Sequence, residues 1–302
     1  MSDLRIEEYD ERHADEALTV INEAFGSPRP AGWFDWKHRE GPWGPSRGVV
    51  AYDDEGMVGI RLLLPWRFRR RGGEVLAYRA VEASTVPRAR GKGVFSQLNR
   101  RLMDQLQDEP DWTFLYSTPN QLSRTGYLKL GWTWLDPIPH EYRLSPVRRA
   151  AGELLVDEEA LATFQPAPSG DGITTAWTAD ALRWRLDPRT GNEYRSIAAP
   201  GPRGFDGLAY RVLRSRKVPT LLPIVAWGDT ASRARLLAHA AWDARAPVVL
   251  DVAGDVRRRS TGLRRGESLL TVWPCDDAPD GWGDLDRTSS WELCFAELES
   301  VL

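Results

Sequence analysis

The chain has 302 residues, a length that favours two domains or one large one. Hydrophobic residues make up 42% of the composition and charged residues 27%, which is typical of a folded globular protein and excludes disorder as the default. The net charge is −3 and the sequence has no basic stripe, so we expect no nucleic-acid partner.

No segment approaches the ~18 consecutive apolar residues of a membrane span, and residues 1–17 contain no apolar run. We therefore expect a cytoplasmic protein without a membrane partner. The two cysteines, Cys275 and Cys294, lie far apart and lack histidines at metal-ligand spacing. We expect neither a metal site nor a disulfide framework.

Strand and helix patterns alternate through the first half of the chain. A short strand pattern at 4–9 precedes a helix pattern at 11–25, where apolar residues recur at helical spacing. The turn sequences DDEG and RRGG then separate three strand patterns, the last of which ends at Val86. A helix is predicted from Gly93 to Gln107, because apolar residues recur there at every fourth position. A strand, a brief helix and a further strand follow, to about Leu144.

Residues 145–172 end in a Pro/Gly/Ser-rich stretch that is typical of a connection between domains. Strand patterns return after it, and a helix is predicted to open on the acidic cap Asp229. Later strand patterns end with WELCFA at 291–296. We therefore predict a domain at 1–144, a linker at 145–172 and a second domain at 173–302 that repeats the first loosely.

The stretch TVPRARGKGVF at 85–95 lies where a predicted strand gives way to a helix. The first turn of a helix has unpaired N–H groups and the positive end of the helix dipole, and glycines let an anion come close to the backbone. Arg88, Arg90 and Lys92 add charges that can reach a pyrophosphate or a 3′-phosphate. The alternative interpretation is a solvated basic loop.

This loop resembles the acyl-CoA-binding motif of GNAT-type N-acetyltransferases, an Arg-x-x-Gly-x-Gly/Ala turn that leads from a central strand into a helix. The matching residues are Arg90, Gly91, Lys92, Gly93, Val94 and Phe95, and Phe95 departs from the usual Gly or Ala. A later motif of the family, Asn-x-x-Ala-x-x-x-Tyr-x-Lys-x-Gly-Phe, is similar to Asn120, Ser123, Tyr127, Lys129, Gly131 and Trp132. The resemblance covers roughly residues 1–144.

The resemblance implies an α/β (α+β) fold, the GNAT acyl-CoA N-acyltransferase fold, with a second, degenerate GNAT-like domain. In layout the chain looks like larger bacterial members with a C-terminal extension, including tandem GNAT proteins. The implied co-substrate is acetyl-CoA, whose pantetheine chain would pair with the end of the strand before the loop. The residues implied to bind it are Ser84, Thr85, Val86, Arg88, Arg90, Gly91, Lys92, Gly93, Val94, Phe95, Asn120 and Tyr127.

The resemblance also implies that Tyr127 gives a proton to the departing CoA sulfur, although a lone tyrosine on a helix is often only a packed aromatic residue. A backbone N–H near Thr85 would then bind the developing oxyanion. For the base, strand alternation turns Glu82 toward the side where a substrate could enter, and burial would raise its pKa. Glu82 could equally pair with an arginine of a neighbouring strand, such as Arg61. Proteins of the enhanced-intracellular-survival type use their C-terminal carboxylate, which suggests Leu302 as a third possibility.

The function expected is acetyl transfer from acetyl-CoA to the amine of a small molecule or peptide, by direct attack on the thioester. The alternatives are a tandem-GNAT aminoacyl transferase and a non-catalytic acyl-CoA-binding module. Trp33, Phe34 and Trp36 either border the acceptor pocket or fill the core. Asp229 would cap its own helix and repel a pyrophosphate, so we expect no CoA in the second half. The acceptor and the acyl chain length stay open, as does the oligomeric state, for which a homo-oligomer is one expectation.

Overall fold

The computed structural model describes residues 4–120, 123–146, 148–149, 152–166, 170–202, 204–214, 218–252, 263–274 and 278–298. The strands in this part are β1 (Arg5–Glu8), β2 (Arg47–Asp53), β3 (Gly56–Arg70), β4 (Gly73–Thr85), β5 (Phe114–Ser117), β6 (Thr133–Trp134), β7 (Ile138–Leu144), β8 (Leu155–Val156), β9 (Thr174–Thr175), β10 (Arg195–Gly201), β11 (Gly204–Leu213), β12 (Thr220–Trp227), β13 (Val248–Val252), β14 (Leu263–Ser268) and β15 (Thr271–Pro274). The helices are α1 (Ala14–Phe25), α2 (Trp33–His38), α3 (Val94–Gln107), α4 (Arg124–Lys129), α5 (Asp157–Leu161), α6 (Ala179–Arg185), α7 (Thr230–Asp243) and α8 (Phe295–Leu298).

The strands form two mixed sheets with related topology. The first sheet has the order β1-β2-β3-β4-β5-β15-β6, with β9 paired to β3, and the second has the order β14-β7-β13-β12-β11-β10-β8. In the first sheet β4 runs parallel to β5 after a crossover through α3, and in the second sheet β12 runs parallel to β13 after a crossover through α7. The fold is therefore mixed α/β as predicted, and its second half repeats the strand and helix order of the first.

Two strands cross between the halves of the chain. Strand β7 precedes the predicted boundary at 144, yet it pairs with β13 and β14 of the second sheet. Strand β15 comes from the far end of the chain and lies between β5 and β6 of the first sheet. The predicted linker at 145–172 also contains β8 and α5, and β8 pairs with β10. The two sheets thus do not follow the predicted division at 144.

The core contains a contact that joins the two halves through a pair of tryptophans. The indole rings of Trp36 on α2 and Trp184 on α6 stack with their centroids 5.1 Å apart. Each ring N–H donates to the backbone carbonyl of the other residue, at 2.6 Å from Trp36 and 2.7 Å from Trp184. Because both side chains are buried, these reciprocal bonds satisfy donors that water cannot reach.

The structure agrees with the helix predicted after the glycine loop and differs from the strand predicted at 291–296. Helix α3 spans Val94–Gln107, as the apolar spacing predicted. WELCFA was predicted as a strand, but its last two residues begin α8 instead. The carboxylate of Glu297 accepts the backbone N–H of Cys294 at 2.8 Å and so closes a turn that the hydrophobic pattern does not reveal.

Candidate active site

Strands β4 and β5 separate and leave a fork at the centre of the first sheet. They pair only at Tyr78–Leu115 and Arg79–Tyr116, and the Ser117 hydroxyl then donates to the Ala80 carbonyl at 3.1 Å. Strand β4 continues to Thr85. Within the described residues no strand pairs with this edge of β4 beyond Arg79, so backbone groups on that edge face the fork.

A β-bulge turns the end of β4 away from β5. Ile60 pairs with Ser84 and Leu62 with Val81, so Glu82 and Ala83 lie together opposite a single residue of β3. Glu82 adopts a left-handed backbone conformation with φ of 50°. A non-glycine residue held in this region stores strain, which is common where a chain must redirect a strand at a functional site.

Thr85 presents its backbone to the fork. The N–H of Val86 donates to the Val58 carbonyl of β3 at 3.0 Å, so this residue faces its antiparallel neighbour. Backbone groups alternate in direction along a strand, so Thr85, which lies opposite Gly59, directs its N–H away from β3. Of the three residues predicted to pair with pantetheine, Val86 therefore has its N–H already bonded, and Thr85 has an outward-facing N–H.

The predicted phosphate loop borders a cavity of about 370 Å³. Gly91 and Gly93 have φ of 77° and 80°, left-handed values that let the loop turn sharply into the first residue of α3. The N–H groups of the first turn of α3 point toward this loop without helical partners. The residues that line the cavity are Thr85, Ala89, Arg90, Gly91, Gly93, Val94 and Phe95. The structure thus brings six of the predicted cofactor residues together.

The three basic side chains of the loop have different environments. Arg88 forms an ion pair with Asp53 and lowers the pKa of that carboxyl. Arg90 donates to the carbonyls of Ala24 at 2.9 Å and Thr85 at 3.4 Å. Its guanidinium therefore connects the loop to α1 and to the end of β4. Lys92 is exposed. Arg88 is thus engaged at the β2–β3 turn, and Arg90 is the arginine that lines the cavity.

Tyr127 on α4 lies buried behind the fork. Its hydroxyl accepts a hydrogen bond from the Arg61 guanidinium at 2.6 Å and donates to the Ser117 hydroxyl at 3.3 Å. Arg61 is therefore not the partner of Glu82 that the sequence suggested. Helix α4 is placed by Asn120, whose side-chain oxygen accepts the Ser123 N–H at 3.1 Å. Asn120 is exposed and does not line the cavity.

Phe95 links the loop to the Tyr127 side chain. The two rings meet edge to face with centroids 5.5 Å apart. The Trp132 ring also packs against the Tyr127 ring, with centroids 4.8 Å apart. A Cβ atom at Gly126 would lie 2.8 Å from the Phe95 ring, so this glycine makes room for it. The bulky residue that departs from the family pattern is thus matched by a glycine on α4, and it helps to fix the position of Tyr127.

Glu82 is paired with a lysine that the sequence analysis missed. Lys37 on α2 forms a buried ion pair with it, and the two side chains are only 3% and 4% exposed. Burial alone would raise the pKa of Glu82. The charge and hydrogen bond of Lys37, together with the nearby basic groups His38 and Arg29, outweigh burial, and the pKa lies below its ordinary value. The expectation of a raised pKa was therefore wrong. The sequence did offer a signal for a buried lysine, because WFDWKH places Lys37 inside an aromatic run. In the structure the Lys37 ammonium lies 4.8 Å from the centre of the Trp33 ring.

The aromatic residues of α2 belong to the core. Trp33, Phe34 and Trp36 are 3%, 6% and 0% exposed, which agrees with the packing alternative rather than with an open acceptor pocket. Burial and the charge of Lys37 lower the pKa of the neighbouring His38 to about 3, so this histidine is neutral at physiological pH.

The end of the described chain is anchored beside the fork. Arg79, the last β4 residue paired with β5, donates to the carbonyl of Glu297 in α8. Buried Arg185 donates to the Ala296 carbonyl at 2.8 Å. The Glu297 carboxylate accepts the Thr175 hydroxyl at 2.6 Å. Leu302 lies outside the described residues, so its suggested role as a base stays a prediction.

The second half has carboxylates where the first half has its glycine loop. Asp229 caps α7 by accepting the Ala231 N–H at 2.8 Å, which confirms the predicted cap. Buried Asp206 accepts the Asp229 N–H at 2.7 Å. Two negative charges therefore lie at this helix terminus and oppose binding of a phosphate there.

The described ranges contain no group of three or more histidine, cysteine or acidic side chains arranged to hold a metal ion. Among the helices of the described part, none has both the length and the apolar character needed to cross a bilayer.

The chain is similar to one protein family over its first part and to several solved structures over most of its length. The family model described as acetyltransferase (GNAT) domain matches residues 5–135. A conserved protein of unknown function from Enterococcus faecalis V583, described as a probable N-acyltransferase, has a TM-score of 0.70 at 13% identity, over 91% of this chain and 73% of its own. A GCN5-related N-acetyltransferase from Anabaena variabilis has a TM-score of 0.66 at 11% identity, over 89% and 72%.

Eis1 from Mycobacterium abscessus has a TM-score of 0.61 at 18% identity and covers 91% of this chain and 74% of its own. The structural similarity therefore extends beyond the family match and includes the second sheet. No curated protein sequence gave a significant match.

Proposed function

We propose that the protein transfers an acetyl group from acetyl-CoA to the amine of a small molecule or peptide, since residues 5–135 match the acetyltransferase (GNAT) domain family model. The observation that carries this proposal is the fork between β4 and β5, which opens beside the glycine loop and the N-terminus of α3. An extended chain can lie against the free edge of β4 while its phosphate groups lie at the helix terminus.

The residues around the cavity fit the chemistry of a CoA thioester. Gly91, Gly93 and the first turn of α3 offer backbone donors to the pyrophosphate, and Arg90 and Lys92 add positive charge. Thr85 directs its N–H into the fork, where it would donate to the thioester oxygen as negative charge develops during attack. Tyr127 would then give its hydroxyl proton to the departing sulfur.

The base has two candidates from the sequence, and the structure constrains one of them. Glu82 is buried and neutralised by Lys37, and its lowered pKa makes it a weak proton acceptor. It can act as a base only if Lys37 moves away from it. The carboxylate of Leu302 stays the other candidate.

Two alternative functions predict different outcomes in the same assays. A non-catalytic module would bind acetyl-CoA without releasing its thiol in the presence of any amine. An aminoacyl transferase would use aminoacyl-tRNA as donor, and the low net charge and the open loop beside α3 favour acetyl-CoA instead.

The test measures thiol release from acetyl-CoA with a panel of amines, together with CoA binding by calorimetry. We expect Tyr127→Phe to lower kcat by ~100-fold or more while CoA still binds, since general acid catalysis typically contributes this much. Tyr210→Phe is the matched control, because it removes another buried tyrosine hydroxyl in the second sheet. Arg90→Glu should weaken CoA binding. If wild-type protein does not bind CoA and Arg90→Glu changes nothing, the proposal is wrong.

A further inference from the structure

Arg61 is a buried cation without a carboxylate partner. It lies on β3 opposite the bulge and is 2% exposed. Of the other buried cations, Lys37 pairs with Glu82 and Arg70 with Asp284. Arg79 and Arg185 instead donate to backbone carbonyls of α8. In the part of the chain that the structure describes, no acidic group lies within ion-pair distance of Arg61.

The hydrogen bonds of Arg61 converge on Tyr127. One terminal nitrogen donates to the Tyr127 hydroxyl at 2.6 Å, and the other donates to the Val81 carbonyl at 3.4 Å. The Nε atom is buried and has no partner among the described residues. The short bond to the phenol oxygen is therefore the main contact that compensates the guanidinium.

The surrounding bonds set the direction of the Tyr127 proton. The Ser117 hydroxyl donates to the Ala80 carbonyl at 3.1 Å, so its oxygen can accept the Tyr127 proton at 3.3 Å. Arg61 has no acceptor role, since a guanidinium only donates. The phenol oxygen thus keeps its bond from Arg61 whether or not its own proton is present.

Burial of an uncompensated charge is costly, and the cost falls when an opposite charge forms beside it. A tyrosine that gives up its proton becomes a phenolate. The bond from the guanidinium is already charge-assisted with the neutral phenol, and with the phenolate it becomes an ion pair that adds the attraction of two opposite charges. The position of Arg61 is therefore suited to a negative charge that exists only during turnover.

We propose that Arg61 is a positioning residue that stabilises the Tyr127 phenolate formed when the departing thiolate takes the Tyr127 proton. The inference rests on the proposed function. In this step the C–S bond of the tetrahedral intermediate breaks, its electron pair goes to sulfur, and the proton moves from the phenol oxygen to that sulfur. The carbonyl re-forms as the amide leaves, and the amine nitrogen releases one proton. Arg61 stays protonated throughout, and the phenolate takes up the proton that the amine nitrogen releases, by way of the base or solvent.

A double-mutant cycle tests this role. Arg61→Met should lower kcat by ~100-fold, the typical size of a general acid contribution, with the KM for acetyl-CoA nearly unchanged. Arg61→Lys keeps the charge and should recover part of the loss. In a Tyr127→Phe background the same Arg61→Met change should cost less than about twofold, because the residue acts through the missing hydroxyl. Arg70→Met removes another buried arginine of β3, at the far hairpin, and should lower stability without lowering kcat.

A binding measurement supplies a readout without turnover. At alkaline pH we expect wild-type protein to bind CoA more tightly than desulfo-CoA, and Arg61→Met to bind the two equally. The inference would be overturned if Arg61→Met lowered kcat equally with and without the Tyr127 hydroxyl, or if this variant still preferred CoA. Either result would leave the proposed function intact. Failure of the wild type to bind either compound would overturn both.

Discussion

Removal of Lys37 should destabilise the protein in a way that depends on pH. Lys37→Met would leave the Glu82 carboxylate buried without its counter-charge, since both side chains are under 5% exposed. Breaking one side of a buried ion pair typically costs about 3–5 kcal/mol, because an uncompensated charge stays in the interior. We expect the free energy of unfolding at neutral pH to fall by about this amount.

The pH dependence follows from the pKa of Glu82. In the wild type this pKa lies below the ordinary value of 4.5, so the pair contributes stability above pH 4.5 that is lost as the pH falls through the folded pKa. In Lys37→Met the opposing charge of Lys37 is lost, and burial, the largest influence on this carboxyl, raises the pKa of Glu82. The variant can then bury a neutral carboxyl at mildly acidic pH, so its deficit relative to the wild type should shrink as the pH falls toward 4.5.

Urea unfolding at neutral pH and at mildly acidic pH measures both effects. Arg39→Met is the control, because Arg39 ends the same helix and pairs with Asp35 and Glu11 at the surface, where such pairs contribute about 1 kcal/mol or less. Lys37→Met and Glu82→Gln together should restore most of the stability. A deficit in Lys37→Met that is absent, or that stays constant with pH, would refute the reasoning.

Two further changes probe the surroundings of the site. His38 has a folded pKa of about 3 against an ordinary 6.5, so stability should fall by ~1.4 kcal/mol per pH unit as the pH drops below 6.5, and urea unfolding of His38→Gln should lack this slope. Gly126→Ala would place a Cβ 2.8 Å from the Phe95 ring and should lower stability by about 1–3 kcal/mol in a thermal melt. Phe95→Leu should relieve that strain, and a Gly126→Ala protein as stable as the wild type would contradict the packing described.

The features that the sequence predicted well depend on neighbours along the chain. The span of α3 follows from apolar residues at every fourth position, and the loop before it follows from Gly91 and Gly93, which allow left-handed backbone. The cap at Asp229 is equally local, because its side chain bonds a backbone N–H two residues away. Such features need no knowledge of the rest of the fold.

The features that were missed depend on residues distant in sequence. Nothing near Glu82 distinguishes Lys37 of α2 from Arg61 of β3 as its partner, and only the bulge decides which way the carboxylate points. The helix that replaces the strand predicted at WELCFA depends on Arg79 and Arg185, which donate to carbonyls of α8 from two other elements. Hydrophobic periodicity cannot reveal contacts of this kind, since it records only which face of a segment is apolar.

The insertion of β15 between β5 and β6 has a consequence for synthesis on the ribosome. Strand β5 ends at Ser117, and β15, its neighbour on the side away from β4, begins at Thr271. This neighbour is therefore synthesised 154 residues later. At translation rates of 5–20 residues per second, that edge of β5 waits roughly 8–30 s for its partner. During this interval the nascent first sheet presents an open strand edge to other chains. Folding of the first sheet is therefore completed only after β15 has been synthesised, and a fragment that stops at residue 135 should be prone to aggregate.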